Sequence, residues 1–428
     1  MKPDLKKLTI CIVDSGLSTH YAAVMARSYG NVIYYIPCYD SYKHDYRAKI
    51  GTGIHGVEVV DEDTFFEYVD EGPGNKIDLF FFPDLGFRGL QDHLRNLDYP
   101  IAGSGFSDIL ETDKLFFYKT LQKAGLPVAP FELVKGLDAL RENLGKQKGP
   151  VYVKLRDQRY RGITETFKCD DADAVDPVLD DIACTVSDKD DIEFVVQHPI
   201  ESKCEIGIDT LCLDGEYPQN SIVGIEGKDS WYIGRVFHAF PEILNPFMDK
   251  MAPVHKKLGC SGMYSTEKRI TEDGTVYGLD LTERMPSPPG ELFPEMYEDG
   301  NFAQAIYDLA HDTLPELKPK AKCGVELIIT SEWYGKGNRI KVGFPPEIAR
   351  WVKLKNYCII DGAAWVLPND NENYLGAVVA IGDTLEEAAK LANDYAAKIK
   401  AYKLVFEDNV IDASKKSRDN AATFGIKL

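Results

Sequence analysis

The chain reads as an α/β protein that opens on a parallel sheet, and three observations predict this. Residues 8–13 (Leu-Thr-Ile-Cys-Ile-Val) form a buried-type strand, and a helical stretch follows from about residue 20 to 28. A second strand is expected at 31–36, and a third, mostly apolar, at 77–82, ending at Pro83-Asp84. Strand, helix and strand in alternation build an open parallel sheet. The turn Asp14-Ser15-Gly16 lacks the G-x-G-x-x-G fingerprint, so no dinucleotide cofactor is assigned to it. This Rossmann-like unit is expected to span 1–103.

A helix follows. Ser107 or Thr112 can cap it, Leu115, Phe116, Lys119, Leu121 and Lys123 form its body, and Gly125 with Pro127 stops it. Strands are expected at 151–155, 193–196 and 205–213, the last running into an Asp214-Gly215 turn. A further domain begins near Ala321. Its clearest piece is a strand at 376–381 followed by a helix with the capping box Thr384-Leu385-Glu386-Glu387. Leu385, Ala388, Ala392, Tyr395 and Ile399 recur there at helical spacing. From about Ser414 the polar tail is expected to be loose.

One hairpin carries chemistry. Asp273-Gly274 is a two-residue turn signal, and pairing outward matches Glu272 with Thr275, Ile270 with Tyr277 and Glu267 with Asp280. Two carboxylates facing each other across strands repel, which points to a cation between them. Thr282 lies on the same face as Asp280 by the period of two. Oxygen ligands of this kind suit Mg²⁺ (Mn²⁺ is a close substitute), completed by water and phosphate oxygens. A solvated acidic face is the competing reading.

Composition bounds the rest. At 428 residues the chain exceeds one ordinary core, and 44% hydrophobic with 27% charged residues is a globular balance. A net charge of −19 argues against nucleic acid as a partner, because phosphate-backbone binding needs a positive surface. No apolar run is long enough to cross a bilayer, so no membrane partner is expected. The nine cysteines show no C-x-x-C pair, which predicts reduced thiols in a cytoplasm; Cys11 and Cys260 read as small buried apolar groups.

Positive charge is concentrated at Lys154, inside a strand, and in Arg156, Arg159 and Arg161 after it. A buried lysine needs an anion, and loop arginines can close on polyphosphate. The alternative is a solvated basic loop. Lys114 and Lys228 have weaker individual claims. The strand end at Gln197-His198-Pro199-Ile200 can offer backbone groups to an adenine edge, and Glu205 can accept from ribose hydroxyls; His198 reads as structural. No nucleophile-elbow, metalloprotease or Walker pattern is present.

The order of these features resembles the ATP-grasp superfamily, and within it phosphoribosylamine–glycine ligase. The similarity runs from residues 77–104 through Asp113-Lys114 and Gly125-Leu126-Pro127 to the tail 376–389. The resemblance implies an ATP-grasp domain at 104–320, with a mobile lid subdomain at about 127–196, and a small α+β domain at 321–428. It implies that Lys114, Lys154 and Lys228 contact ATP phosphates, with Arg159 and Arg161 of the basic loop as further candidates. It puts the adenine hinge at Gln197, His198 and Ile200 and the ribose at Glu205. Glu267, Asp280 and Thr282 would hold Mg²⁺, with Arg284 near an acyl phosphate. Arg235, in a segment that departs from the family, is a second catalytic candidate on its own residue type.

The chain departs from that family at Gln197, where the hinge has an acid, and at Thr282, where the metal set has Asn. Segments 231–235 and 285–291 are also rewritten. The activity implied is an ADP-forming carboxylate–amine ligase, a monomer or homodimer joining a small-molecule acid and amine. Synthesis of the purine intermediate itself, or nucleotide binding without catalysis, are the alternatives.

Overall fold

The computed structural model describes residues 3–37, 48–156, 166–368 and 374–428. The expected parallel sheet is present: β1 (Thr9–Val13), β2 (Asn31–Tyr35), β3 (Val57–Val60), β4 (Leu79–Phe81) and β5 (Ile101–Ala102) lie in the order β3-β2-β1-β4-β5. Every pair in it is parallel. Helices α1 (His20–Ala26), α2 (Glu62–Asp70) and α3 (Arg88–Asn96) connect its strands. Alternation sends Ile10, Ile12, Tyr34 and Phe81 into one core and Cys11, Val13, Ile33 and Phe80 into another. Burial on both faces explains why these strands read as unbroken apolar runs.

A short α4 (Ile109–Thr112) leads into α5 (Lys114–Lys123). Its cap is neither Ser107 nor Thr112 but Asp113, whose carboxylate accepts from the Phe116 N–H at 2.8 Å. A second, antiparallel sheet follows. It comprises β6 (Phe131–Lys135), β7 (Val151–Leu155), β8 (Thr166–Cys169) and β9 (Glu193–Gln197) in the order β6-β9-β7-β8. Helices α6 (Leu137–Leu144) and α7 (Ala172–Thr185) cover it, and Leu140, Val153, Leu179, Ile182 and Phe194 close a core of its own.

The third sheet has nine strands. Five come from the middle of the chain: β10 (Cys204–Leu213), β11 (Ser221–Gly227), β12 (Trp231–Phe237), β13 (Ser261–Ile270) and β14 (Val276–Thr282). Helix α8 (Asn245–Leu258) lies between β12 and β13, and α9 (Asn301–Ala310) follows β14. The sheet continues through β15 (Cys323–Ser331). Beyond it a three-stranded sheet forms from β16 (Ile340–Val342), β18 (Tyr357–Ile360) and β19 (Ala363–Val366). Strands β17 (Val352–Leu354), β20 (Tyr374–Gly382) and β21 (Leu404–Val405) complete the large sheet, whose order is β14-β13-β10-β11-β12-β15-β20-β17, with β21 also on β15.

Helix α10 (Leu385–Ala396) carries the expected capping box, though Ile399 lies beyond its end. The tail expected to be loose from Ser414 is instead helix α11 (Val410–Ala422). It buries Val410, Ser414 and Ala421, and Asn420 donates to the Lys203 carbonyl at 2.7 Å. Among the described residues no helix is long and apolar enough to cross a membrane.

The acidic hairpin is a composite of two offsets. Near its tip Ile270 faces Val276 and Arg269 faces Tyr277, one residue out of the expected register. Only Gly274 has positive φ there, +84°, and the Thr271 N–H donates to Thr275. The loop is therefore three residues closed by a left-handed glycine, not a two-residue turn. A bulge between Glu267 and Lys268 then adds one residue on β14 and restores the pair Glu267–Asp280.

Candidate active site

Register across the large sheet defines the floor of the site. A single row runs Asp280, Glu267, Gly207, Gly224, Gly234, Gly324 across β14, β13, β10, β11, β12 and β15. Four consecutive glycines leave a trough with no side chains. A Cβ on Gly224 would lie 2.0 Å from the Tyr232 hydroxyl, so the tyrosine ring occupies that trough only because glycine does. The hydroxyl donates to Asp209 at 2.5 Å, and Ser265 donates to the other Asp209 oxygen at 2.6 Å.

Above this floor is a cavity of about 250 Å³. Its walls include Glu111, Lys114, Glu205, Asp209, Glu226 and Tyr232, together with Glu267, Asp280, Thr282, Arg284 and Pro286–Pro289. Lys114 at the start of α5 bonds the Asp280 carboxylate at 2.5 Å. Arg284 donates to Glu111 at 3.1 Å. Lys154, 6% exposed on β7, donates to the Tyr118 hydroxyl at 3.0 Å, which in turn donates to Gln197 at 3.2 Å. Lysines from two elements, α5 and β7, thus approach one pair of acids.

The electrostatics follow from crowding. Desolvation and the facing Asp280 and Glu205 charges push the Glu267 carboxyl up to about 7, against the pull of Lys154 and Lys114. Glu226 is pushed up to about 8 by desolvation and by Glu267 and Asp209. Burial alone would raise Asp280 too, but Lys114 and Lys154 hold it below the usual carboxylate range. Among the described residues nothing donates a hydrogen bond to Glu267, and no group of three metal-ligating side chains stands close enough to enclose an ion. Two facing carboxylates and the Thr282 hydroxyl therefore fit an ion that takes its remaining oxygens from a bound phosphate.

Other expected residues are placed differently. Arg235 alternates onto the opposite face from Tyr232 and donates to the Lys427 carbonyl at 3.1 Å, so it lies outside the cavity. Lys228 is exposed in the β11–β12 turn and is not part of the wall. Glu205 lines the cavity but is paired with Arg269 at 2.8 Å. Gln197 turns its side chain inward to Tyr118, while His198 is exposed and its backbone N–H donates to Pro130 at 3.1 Å; Ile200 is half-buried. Arg156 is committed to Asp113 at 3.1 Å and to Glu193. Arg159 and Arg161 lie outside the described residues.

Cys11 is wholly buried in apolar surroundings, as expected. Cys260 is buried too, but its thiol donates to Glu283 at 3.3 Å, beside His255. Asp209, Glu226 and Glu111 were not anticipated. The alternation Glu205, Gly207, Asp209 along β10 is the signal that places Asp209 on the site's face.

This architecture, a parallel sheet followed by antiparallel sheets, is the ATP-grasp fold. A crystal structure of phosphoribosylamine–glycine ligase from Thermotoga maritima is similar over 94% of this chain and 100% of that one, with TM-score 0.69 and 14% identity. One of L-amino acid ligase from Bacillus licheniformis covers 94% and 99%, with TM-score 0.59 and 15% identity. In sequence the chain is 26% identical over 239 residues to D-alanine–D-alanine ligase of Trichlorobacter lovleyi, 53% of this chain and 74% of that one. No protein-family model matches.

Proposed function

We propose that the protein is an ATP-dependent, ADP-forming ligase that joins a small-molecule carboxylate to an amine through an acyl phosphate. The observation that carries this is the convergence of Lys114 and Lys154, from α5 and the second sheet, on the facing pair Glu267–Asp280. The relatives of the same fold, two of them ligases of amino acids, support it.

In this reading the adenine lies along 197–200, with Glu205 at the ribose. The sheet of β6–β9, which has its own core, is the lid. Lys114 and Lys154 bind the polyphosphate, and Arg159 and Arg161 close over it. Glu267, Asp280 and Thr282 hold Mg²⁺, which when bound offsets phosphate charge. The substrate carboxylate attacks the γ-phosphate, ADP leaves, and the amine displaces phosphate from the acyl carbon. Arg284, held in place by Glu111, presents fixed positive charge to the acyl phosphate. Closure of the lid keeps water from that intermediate. Protein and substrates meet in a soluble compartment, the cytoplasm.

Hydroxylamine tests the intermediate. With MgATP and a panel of carboxylic acids it should trap one of them as a hydroxamate, with one ADP per product. ADP formation without hydroxamate for any acid would count against an acyl phosphate.

A further inference from the structure

Away from the catalytic cavity, one wholly buried carboxylate gathers three cations. Glu295 accepts from Arg27 at 2.7 Å, from Arg350 at 2.5 Å and from Lys353 at 2.5 Å. Arg350 also reaches Asp299 at 2.7 Å, where Lys320 stands at 3.0 Å. This network sets four cations against two carboxylates, in a chain whose net charge is −19. The surplus is felt by its neighbours. Burial pulls the Lys353 ammonium down to about 8, and Arg27 and Arg350 add to that against the opposing pull of Glu295. The buried His20 ring is driven toward its neutral form by desolvation and by the charges of Lys353, Lys355 and Arg27.

The surplus borders a second cavity, of about 280 Å³, that shares no lining residue with the catalytic one. Its wall combines Arg27 and Ser28 from the end of α1, Arg350 from the turn before β17, and Asp299, Phe302 and Ala303 from the start of α9.

Donors on this wall are uncommitted. Among the described residues the Arg27 guanidinium uses only Nη2, and that of Arg350 only Nε and Nη2. The Phe302 and Ala303 N–H groups have no acceptor among the described residues, although both residues are only 2% exposed. A helix start leaves such groups open, and Gly300 in the cap position has no side chain to close them. A Cβ on Gly300 would stand 3.6 Å from the Ser28 hydroxyl, so that hydroxyl lies beside the same turn.

Guanidinium forks, first-turn backbone N–H groups and a hydroxyl are together the donors that hold a phosphate. Asp299 is the one acid among the described residues of the wall, and Arg350 and Lys320 already match its charge. We infer that this cavity is a second anion site, which binds a phosphate group either as the free ion or on a small phosphomonoester. Because it stands apart from the catalytic cavity, a phosphate bound there is an effector and not the transferred group. The site does not depend on the ligase reading.

The test is calorimetric titration of the full chain, at fixed ionic strength in chloride, with inorganic phosphate and separately with glycerol 3-phosphate. Binding should persist in Lys154→Met, which removes a cation beside the catalytic acids. Arg350→Gln should weaken it by about 10–100-fold, the range for a lost charge-assisted hydrogen bond. Ser28→Asp should abolish it by placing a carboxylate at the site. Ser28 takes part in none of the ion pairs, so that variant stands even where Arg350→Gln fails to fold. Binding of either probe in this pattern supports the inference: tighter glycerol 3-phosphate identifies a phosphomonoester as the ligand, and tighter inorganic phosphate the free ion. No binding of either probe above the chloride background, complete loss in Lys154→Met, or unchanged binding in Ser28→Asp would overturn it.

Discussion

Glu267 and Asp280 face each other directly across β13 and β14, and the bulge beside Glu267 is what aligns them. Without that extra residue on β14 the two acids would lie out of register and their charges would not share one ligand position. Asp280→Asn keeps the shape, removes one charge and weakens the tie to Lys114. Nucleotide binding should lose its Mg²⁺ dependence, with turnover down at least ~100-fold, the scale of removing a fixed transition-state charge partner. ATP titrations with and without Mg²⁺ check this, and an unchanged dependence removes the metal assignment.

The raised Glu267 carboxyl has consequences for pH. Its ordinary value is 4.5 and its folded value about 7, so between these the folded protein holds the proton more tightly than the unfolded chain. Its contribution to stability is therefore present below 4.5, falls as pH rises through that window, and is lost above 7. Melting temperature of the nucleotide-free protein should fall more steeply from pH 5 to 8 than that of Glu267→Gln. In the proposed site Mg²⁺ would compete with the same proton, so its affinity should rise across pH 7. Parallel melting curves for the two proteins would contradict this.

Lys154 is buried, with the Tyr118 hydroxyl as its hydrogen-bonding partner. Glu267 and Asp280 act on it through space without a hydrogen bond to it among the described residues, so a phosphate oxygen would complete the contacts of this buried ammonium. Lys154→Met should leave the fold intact or slightly more stable, yet weaken ATP binding by about 10–100-fold, the cost of one charge-assisted phosphate contact. Equilibrium binding of ATP together with thermal melting separates the two effects.

Arg235 offers a negative control. Its contact is with the backbone carbonyl of Lys427, on the far side of β12 from the cavity. Arg235→Ala should cost about 1 kcal/mol of stability and leave ADP release within about twofold. A large loss of turnover at full stability would return Arg235 to the catalytic set.

How much of this was legible in the sequence depended on the range of the signal. Local alternation and turn chemistry placed β1, β2, β4 and the capping box of α10 within a residue or two. The pair Glu267–Asp280 came out right because a misplaced turn and an unforeseen bulge shift the register in opposite directions. Arg235 lies on the face of β12 opposite Tyr232, which nothing local reveals; only pairing with β11 and β15 decides it. The row Gly207, Gly224, Gly234, Gly324 was invisible for the same reason, since strands distant in sequence bring it together. Helix α11 was missed because it is mostly polar and buries few residues. Its apolar period is weak, and contacts with the large sheet define it.

The central claim is tested most directly by nucleotide product analysis over a grid of carboxylic acids and amines with MgATP. The account predicts ADP and phosphate, never AMP, released only when one acid and one amine are both present, and abolished in Asp280→Asn. Release of AMP, or ADP release that needs neither substrate and survives in Asp280→Asn, would contradict it.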